Sequence, residues 1–420
     1  MSNINGKKLL ILAGGPNFID LVERAKELGV YTIVTDYYDH ETSPAKKIAD
    51  EAWDISWDDL DTLESKCREA HVDGITTGYS ESTVDRCIQL CGRLGLPCYI
   101  TREQLDITKD KVLFKTNCRA NNVPVVNEYA SVDEVKSFPV IVKPVDRAGS
   151  IGISVANNPQ ELRSAYDYAM EMSYCKNVII EDYITWGNKF DAYYAITDGK
   201  ITFLSTSDTV NAKDNGFEKV IQSGWLMPSR FQDCYLRKVD PAMRNMISNM
   251  GIKNGFIFFS GFSDGDRFVF FETGFRLSGG HMYRYFRENG YPDIQDIFIR
   301  HALQGNCDGI AFEEQKGLKA VIINYYAKRG TLSKVGGFED IARIKECGFA
   351  FPICRIGTKC NTDKAILKKL AMIHLYGKDI DQLCDDVDLV NKLFVAEDEN
   401  GNDMVFDRMD SAEIKSRMLG

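Results

Sequence analysis

Along the first hundred residues, short apolar runs alternate with segments whose apolar positions recur every three or four residues. Leu9 to Ala13 and Tyr31 to Asp36 read as buried strands, and between them Phe18, Leu21, Val22, Ala25 and Leu28 fall on one helical face. The alternation predicts a βαβ unit. It recurs with a helix over Thr62 to Ala70, a strand at Gly74 to Thr77 and a helix from Ser80 to Leu94, so residues 1–100 are expected to form a Rossmann-like open parallel sheet.

From about Tyr99 the texture changes. Asp110-Lys111 opens a helix, a β-rich stretch runs from Pro139 to Glu181, and strands continue through Lys200 to Ser205 and Phe256 to Thr273. Asp293 to Leu303 reads as a helix, followed by a Gly/Asn/Asp-rich break at Gly305 to Gly309. Beyond it, Leu318 to Tyr326, the turn at Gly336-Gly337 and the acidic turn Asp398 to Asp403 suggest a small mixed α+β domain over 311–420. The class is therefore α/β and α+β, with a central domain over 101–310.

Composition narrows the functional classes. At 420 residues, the chain can build two or three domains with their own cores. No run approaches the roughly twenty apolar residues of a membrane helix, so a soluble protein is expected. The net charge of -10 argues against a non-specific grip on nucleic acid or anionic lipid, which needs excess Lys and Arg. Lys7 and Lys8 lead straight into the first strand, unlike a secretion signal. Twelve cysteines without a CxxC pair suit a reducing, cytoplasmic compartment; Cys87 and Cys91, one helical turn apart, read as small core residues.

Gly14 and Gly15 after the first strand, with Asp36 ending the second, suggest a dinucleotide site. The fingerprint is incomplete, because Pro16, Asn17, Phe18 and Ile19 stand where further glycines belong, and a plain turn is favoured.

Three stretches carry candidate chemistry. Val140 to Val155, VIVKPVDRAGSIGISV, delivers Lys143 from an apolar strand beside a loop with Gly149, Ser150 and Gly152. Glycines let backbone N–H groups approach phosphate oxygens, and the lysine adds a point charge; a Gly-rich hairpin with a solvated lysine is the alternative. Val178 to Ile184, VIIEDYI, ends a strand in Glu181, either a surface acid or a hinge acid whose carboxylate and adjacent backbone bond an adenine edge. In Phe268 to Gly280, FVFFETGFRLSGG, Glu272 interrupts an apolar run and Arg276 follows. An acid so placed needs a cation: magnesium suits Glu272, and Arg276 suits a phosphate or carboxylate, whereas a Glu272–Arg276 ion pair is the structural alternative. His281 near Arg284, and Lys213 in a polar stretch, are read as satisfied or solvated side chains.

In order and spacing these stretches resemble the ATP-grasp superfamily over most of the chain. The resemblance implies a two-lobed ATP-grasp domain over 101–310. Lys111 and Lys143 would contact the α and β phosphates, and Ala148, Gly149, Ser150 and Gly152 would form the lid. Glu181, Asp182, Tyr183 and Ile184 would line the adenine hinge, Glu272 would bind Mg2+, and Arg276 would steady the transferred phosphoryl group. Three positions depart from the pattern. Lys189 stands where a ribose-binding acid is usual, with Asp191 close enough to substitute; Gly274 replaces an expected asparagine, and Ser260 stands at a usual metal-ligand position.

The implied activity is ATP-dependent activation of a carboxylate as an acyl phosphate, followed by attack of an amine. The implied partners are ATP, Mg2+ and small-molecule carboxylate and amine substrates, in a monomer or homodimer. Glycinamide ribonucleotide synthetase (phosphoribosylamine-glycine ligase) and biotin carboxylase share the layout, whereas the similar large chain of carbamoyl phosphate synthetase carries two ATP-binding units where this chain has one. A non-catalytic ATP-binding regulator is the alternative from another class, motivated by Ser260 and Gly274. No HRD or DFG motif and no GxxxxGK[ST] loop supports a kinase or P-loop reading.

Overall fold

The computed structural model describes residues 4–147, 151–213, 221–310, 315–360 and 368–419. Four strands, β1 (Lys8–Leu12), β2 (Tyr31–Thr35), β3 (Glu51–Trp53) and β4 (Gly74–Thr76), pair in parallel in the order β3-β2-β1-β4. Leu9 to Leu12 are wholly buried, as a strand covered on both faces requires. Ser80 caps the helix Glu81–Leu94 by accepting from the Ser82 N–H, and Gly95 ends it at φ 68°. The Asp36 carboxylate accepts from the Gly14 N–H (3.0 Å) and the Ser43 hydroxyl (2.7 Å), so the acid at the end of β2 closes a turn. Strand order reverses at β1, which leaves a crevice between the C-terminal ends of β1 and β4.

A second sheet holds β5 (Glu128–Tyr129), β6 (Val140–Pro144), β7 (Ser154–Ala156) and β8 (Val178–Asp182) in the order β5-β8-β6-β7. Within the stretch Pro139 to Glu181, read as β-rich, the helix Pro159–Met172 stands between the strands. Asn158 accepts from the Gln160 and Glu161 N–H groups (3.1 and 3.0 Å), and Leu162, Ala165 and Ala169 bury the helix on the sheet. This lobe has its own small core, separate from the core shared by the first domain and the large sheet.

The large sheet contains β9 (Asn188–Thr197), β10 (Lys200–Asn211), β11 (Gln222–Met227), β12 (Gly255–Ser263), β13 (Phe268–Gly274), β14 (Lys319–Tyr326), β16 (Cys347–Pro352) and β18 (Lys369–Gly377). Its order is β13-β12-β9-β10-β11-β14-β18-β16. Pairing of β11 with β14 makes the C-terminal strands a continuation of the central ones. A small fourth sheet joins β17 (Lys359–Cys360), β15 (Gly330–Gly336) and β19 (Val395–Asp398).

Candidate functional site

The small lobe supplies positive charge. Asp110 caps the helix Lys111–Ala120 by accepting from the Val112 and Leu113 N–H groups (2.8 and 2.9 Å), which fixes Lys111 at its first turn. Lys111 Nζ donates to the Val145 carbonyl at 3.4 Å. One turn later Lys115 is fully buried and ion-pairs with Glu181 and, at 3.2 Å, with Glu128. On β6, Ile141 pairs with Glu181 and Lys143 with Ile179, so Lys143 and Glu181 are diagonal neighbours on one face; Lys143 Nζ lies 2.5 Å from Glu181 Oε2. Burial, then the charges of Lys115 and Lys111, push Lys143 down to about 7, and burial pushes Lys115 down to about 8. Two lysines thus share one buried carboxylate, and a further anion beside them would relieve their repulsion.

The large sheet supplies oxygen donors. Asp191 of β9 pairs with Ser207 of β10 and Ser260 of β12, and Ser260 pairs with Glu272 of β13. Directly paired residues project to the same face, so the four side chains form one row across four strands. Ser260 donates its hydroxyl to Asp191 Oδ1 at 2.5 Å, and Ser207 donates to Oδ2 at 3.3 Å. Burial pushes the Asp191 carboxyl up, with Lys189 and the hydroxyl bonds opposing it. Two carboxylates with one hydroxyl between them and a second beside Asp191 form an oxygen-only donor set, the kind that fits magnesium.

A β-bulge creates this row. From Ser263 opposite Phe268 the pairing runs regularly to Gly261 opposite Phe270, then Phe271 is skipped and Glu272 stands opposite Ser260. Unbroken pairing would set Phe271 opposite Ser260 and turn Glu272 to the other face. The ring of Phe271 lies 5.6 Å from Lys143 Nζ and 6.0 Å from Lys189 Nζ, and Lys143 feels the charge of Glu272. The two lobes therefore bring the lysine group and the acid row to one place.

Several expected residues are placed differently. The Glu181 carboxylate is engaged by Lys115 and Lys143 rather than presented to an adenine edge. Asp182 accepts from the Tyr129 hydroxyl at 2.7 Å, and the Tyr183 N–H donates to Pro139. Ile184, which follows them in the hinge segment, is half-buried. Asp191 belongs to the acid row, not to the hinge. Gly152, at φ 75°, is wedged where a Cβ would lie 2.7 Å from both Pro144 and Met172, which packs it into the lobe instead of over a cleft. Ala148, Gly149 and Ser150 lie outside the described residues. Arg276 bonds Glu81 at 2.7 Å rather than Glu272, so the structural alternative of a local Glu272–Arg276 ion pair does not form. Lys213, by contrast, is exposed, in keeping with a solvated lysine, and pairs with Asp410.

Sequence reasoning missed a second polar centre at the crevice between β1 and β4. Three non-glycine residues adopt the left-handed region there: Ala13 (φ 77°), Tyr79 (φ 66°) and His281 (φ 52°). Their loops are linked, since the Tyr79 N–H donates to the Leu277 carbonyl and His281 contacts Asn17 (3.1 Å) and Asp20 (3.2 Å). Burial raises the Asp20 carboxyl, but bonds from His281 and Arg284 outweigh it and hold the group well below the usual range. His374 stands behind, fully buried, with Nε2 unpaired and burial holding it neutral. Burial also pushes Lys369, between the rings of Trp225 and Tyr326, down to about 8.

Residues 104–215 match the family described as the D-ala D-ala ligase C-terminus. Over 195 residues the chain is 27% identical to the formate-dependent phosphoribosylglycinamide formyltransferase of Prochlorococcus marinus subsp. pastoris, covering 44% of this chain and 49% of that protein. The chain thus matches about half the length of such curated relatives. In structure it is similar to an L-amino acid ligase from Bacillus licheniformis (TM-score 0.76, 16% identity, 94% of this chain and 100% of that one). It is also similar to the biotin carboxylase domain of a 2-oxoglutarate carboxylase from Hydrogenobacter thermophilus in complex with MgADP (TM-score 0.74, 18% identity, 93% and 90%). The antiparallel lobe with its paired lysines, the acid row facing it and these likenesses agree: residues 104–215 are similar to an ATP-grasp ligase domain, and the chain shares the fold of these enzymes.

Proposed function

We propose that the chain is a ligase that activates a substrate carboxylate with ATP and magnesium and couples it to an amine. The observation that carries the reading is the confrontation of Lys111, Lys115 and Lys143 with the Asp191–Ser260–Glu272 row across the two lobes. In this reading Lys111 and Lys143 bind the nucleotide phosphates, while Glu181 holds Lys143 in place. Magnesium, when bound, supplies charge neutralisation at the transferred phosphoryl group, and Asp191 and Glu272 would hold it. Phosphoryl transfer needs positioning and electrostatic stabilisation more than a protein nucleophile, which agrees with a site built of lysines, acids and hydroxyls. ADP leaves, and the amine displaces phosphate from the acyl phosphate.

The acceptor side is the crevice between β1 and β4, where strained loop tips meet. Lys369, desolvated and placed between two rings, suits an anionic end of the substrate. Arg276, tied to Glu81, would steady the phosphoryl group from the first domain's side. The division at residues 1–100, 101–310 and 311–420 follows the same reading. A homodimer is the proposed assembly, on the likeness to a biotin carboxylase domain dimer. The cytoplasm is the proposed compartment, on cysteine usage; among the described residues no helix is long and apolar enough to cross a membrane.

A phosphate-release screen of carboxylates against amines, with ATP, magnesium and mass analysis of products, tests the reading. An amide product with one ADP per bond supports it. Nucleotide binding without turnover across a broad panel would point instead to a regulator.

A further inference from the structure

Away from the lobes, three cysteine sulfurs meet inside the first domain. Cys87 and Cys91 lie one turn apart on the helix Glu81–Leu94, and the left-handed Gly95 turns the chain back so that Cys98 lies against them. All three Sγ atoms lie within 4.8 Å of one another, and Cys87 and Cys91 are 3.9 Å apart. A zinc-type ion with metal–sulfur bonds of about 2.3 Å sets sulfurs about 3.8 Å apart in a tetrahedron, so the trio needs little movement to close on one ion. The three belong to the apolar core of the first domain, with Cys98 packed at its edge.

His301 stands beside the trio with its ring bonded to the Cys98 backbone and its Nδ1 3.1 Å from Asn254 Nδ2, so its nitrogens are engaged elsewhere. Cys98 is half-buried, the most exposed of the three.

We infer that Cys87, Cys91 and Cys98 form a binding site for a thiophilic divalent cation of the zinc class, with water in the fourth position. Three S–M bonds form as up to three S–H protons pass to solvent. Soft thiolate donors select this class over magnesium, so the two metal sites would not compete. The trio lies toward the far end of a helix about 20 Å long whose first residue, Glu81, holds Arg276, so the ion would stiffen the first domain without touching the nucleotide.

The full chain is reduced, its thiols are counted in denaturant, and it is titrated with Cd2+ or Co2+ while sulfur-to-metal charge-transfer absorption is followed. One equivalent should saturate the band, with proton release. Cys98→Ser should lower affinity at least tenfold, whereas Cys175→Ser, at an exposed cysteine, should leave the band intact. Cys98→Ala, which preserves a small apolar side chain, replaces the serine variant if that one unfolds. Absence of the band in fully reduced protein, or a band undiminished in the folded Cys98 variant, would overturn the site.

Discussion

Ser260 donates its hydroxyl to Asp191 at 2.5 Å across two paired strands, so the serine that stands at a usual metal-ligand position holds a carboxylate in place. The departure that raised a doubt about catalysis therefore comes with an acid next to it. Asp191→Asn should lower the apparent magnesium affinity by about 10- to 100-fold, whereas Ser260→Ala should cost less, read from the magnesium dependence of ADP formation. Equal effects would mean that Asp191 is only a structural acceptor.

Lys143→Met should reduce ATP turnover by a factor on the order of 10²–10³, by analogy with the loss of one preorganised charge-stabilising group. Phosphate release at saturating substrates measures this.

Glu181→Gln leaves two buried lysines without their shared carboxylate. Loss of one partner of a buried ion pair costs about 3–5 kcal/mol, so urea unfolding should shift by that amount, and added ATP should recover part of the loss.

Nucleotide binding should depend on pH. Lys143 at about 7 and Lys115 at about 8 are partly neutral above those values in the free protein, whereas the unfolded chain keeps them charged up to the ordinary 10.5. The unfolded state then binds more protons, so the free protein gains stability as pH rises from about 7 toward 10.5. A polyphosphate demands the charged forms, so ATP binding should take up protons and weaken as pH rises through 7 to 9. Calorimetry in buffers of different ionisation enthalpy gives the proton count; zero uptake at pH 8 would contradict the lowered values.

Asp20→Ala strips Arg284, His281 and Tyr283 of a common acceptor, and about 3–5 kcal/mol of stability should go with it. Chemical denaturation of the folded variant checks it.

The strands and helices of the first domain are legible because each buries a continuous run or a clean helical stripe. Lys143 is marked locally by its strand-plus-glycine context, whereas Lys111 is singled out only by the family resemblance at the start of a capped helix. Lys115 is harder, since a lysine inside an amphipathic helix ordinarily faces water. The helix Pro159–Met172 announces itself with Asn158, Pro159 and Glu161, a start signal obscured by the apolar strands around it. The Asp191–Ser260–Glu272 row depends on the register of strands far apart in sequence, and Asp20 meets Arg284 across 264 positions. Neither relationship leaves a local pattern.

The bulge at Phe271 makes the placement of Glu272 a matter of counting. Exchange of Phe271 for another bulky residue keeps the tally between positions 263 and 272 and with it the acid's orientation, whereas removal of any one residue there reverses it. Evolution of this hairpin is thus freer in spelling than in length.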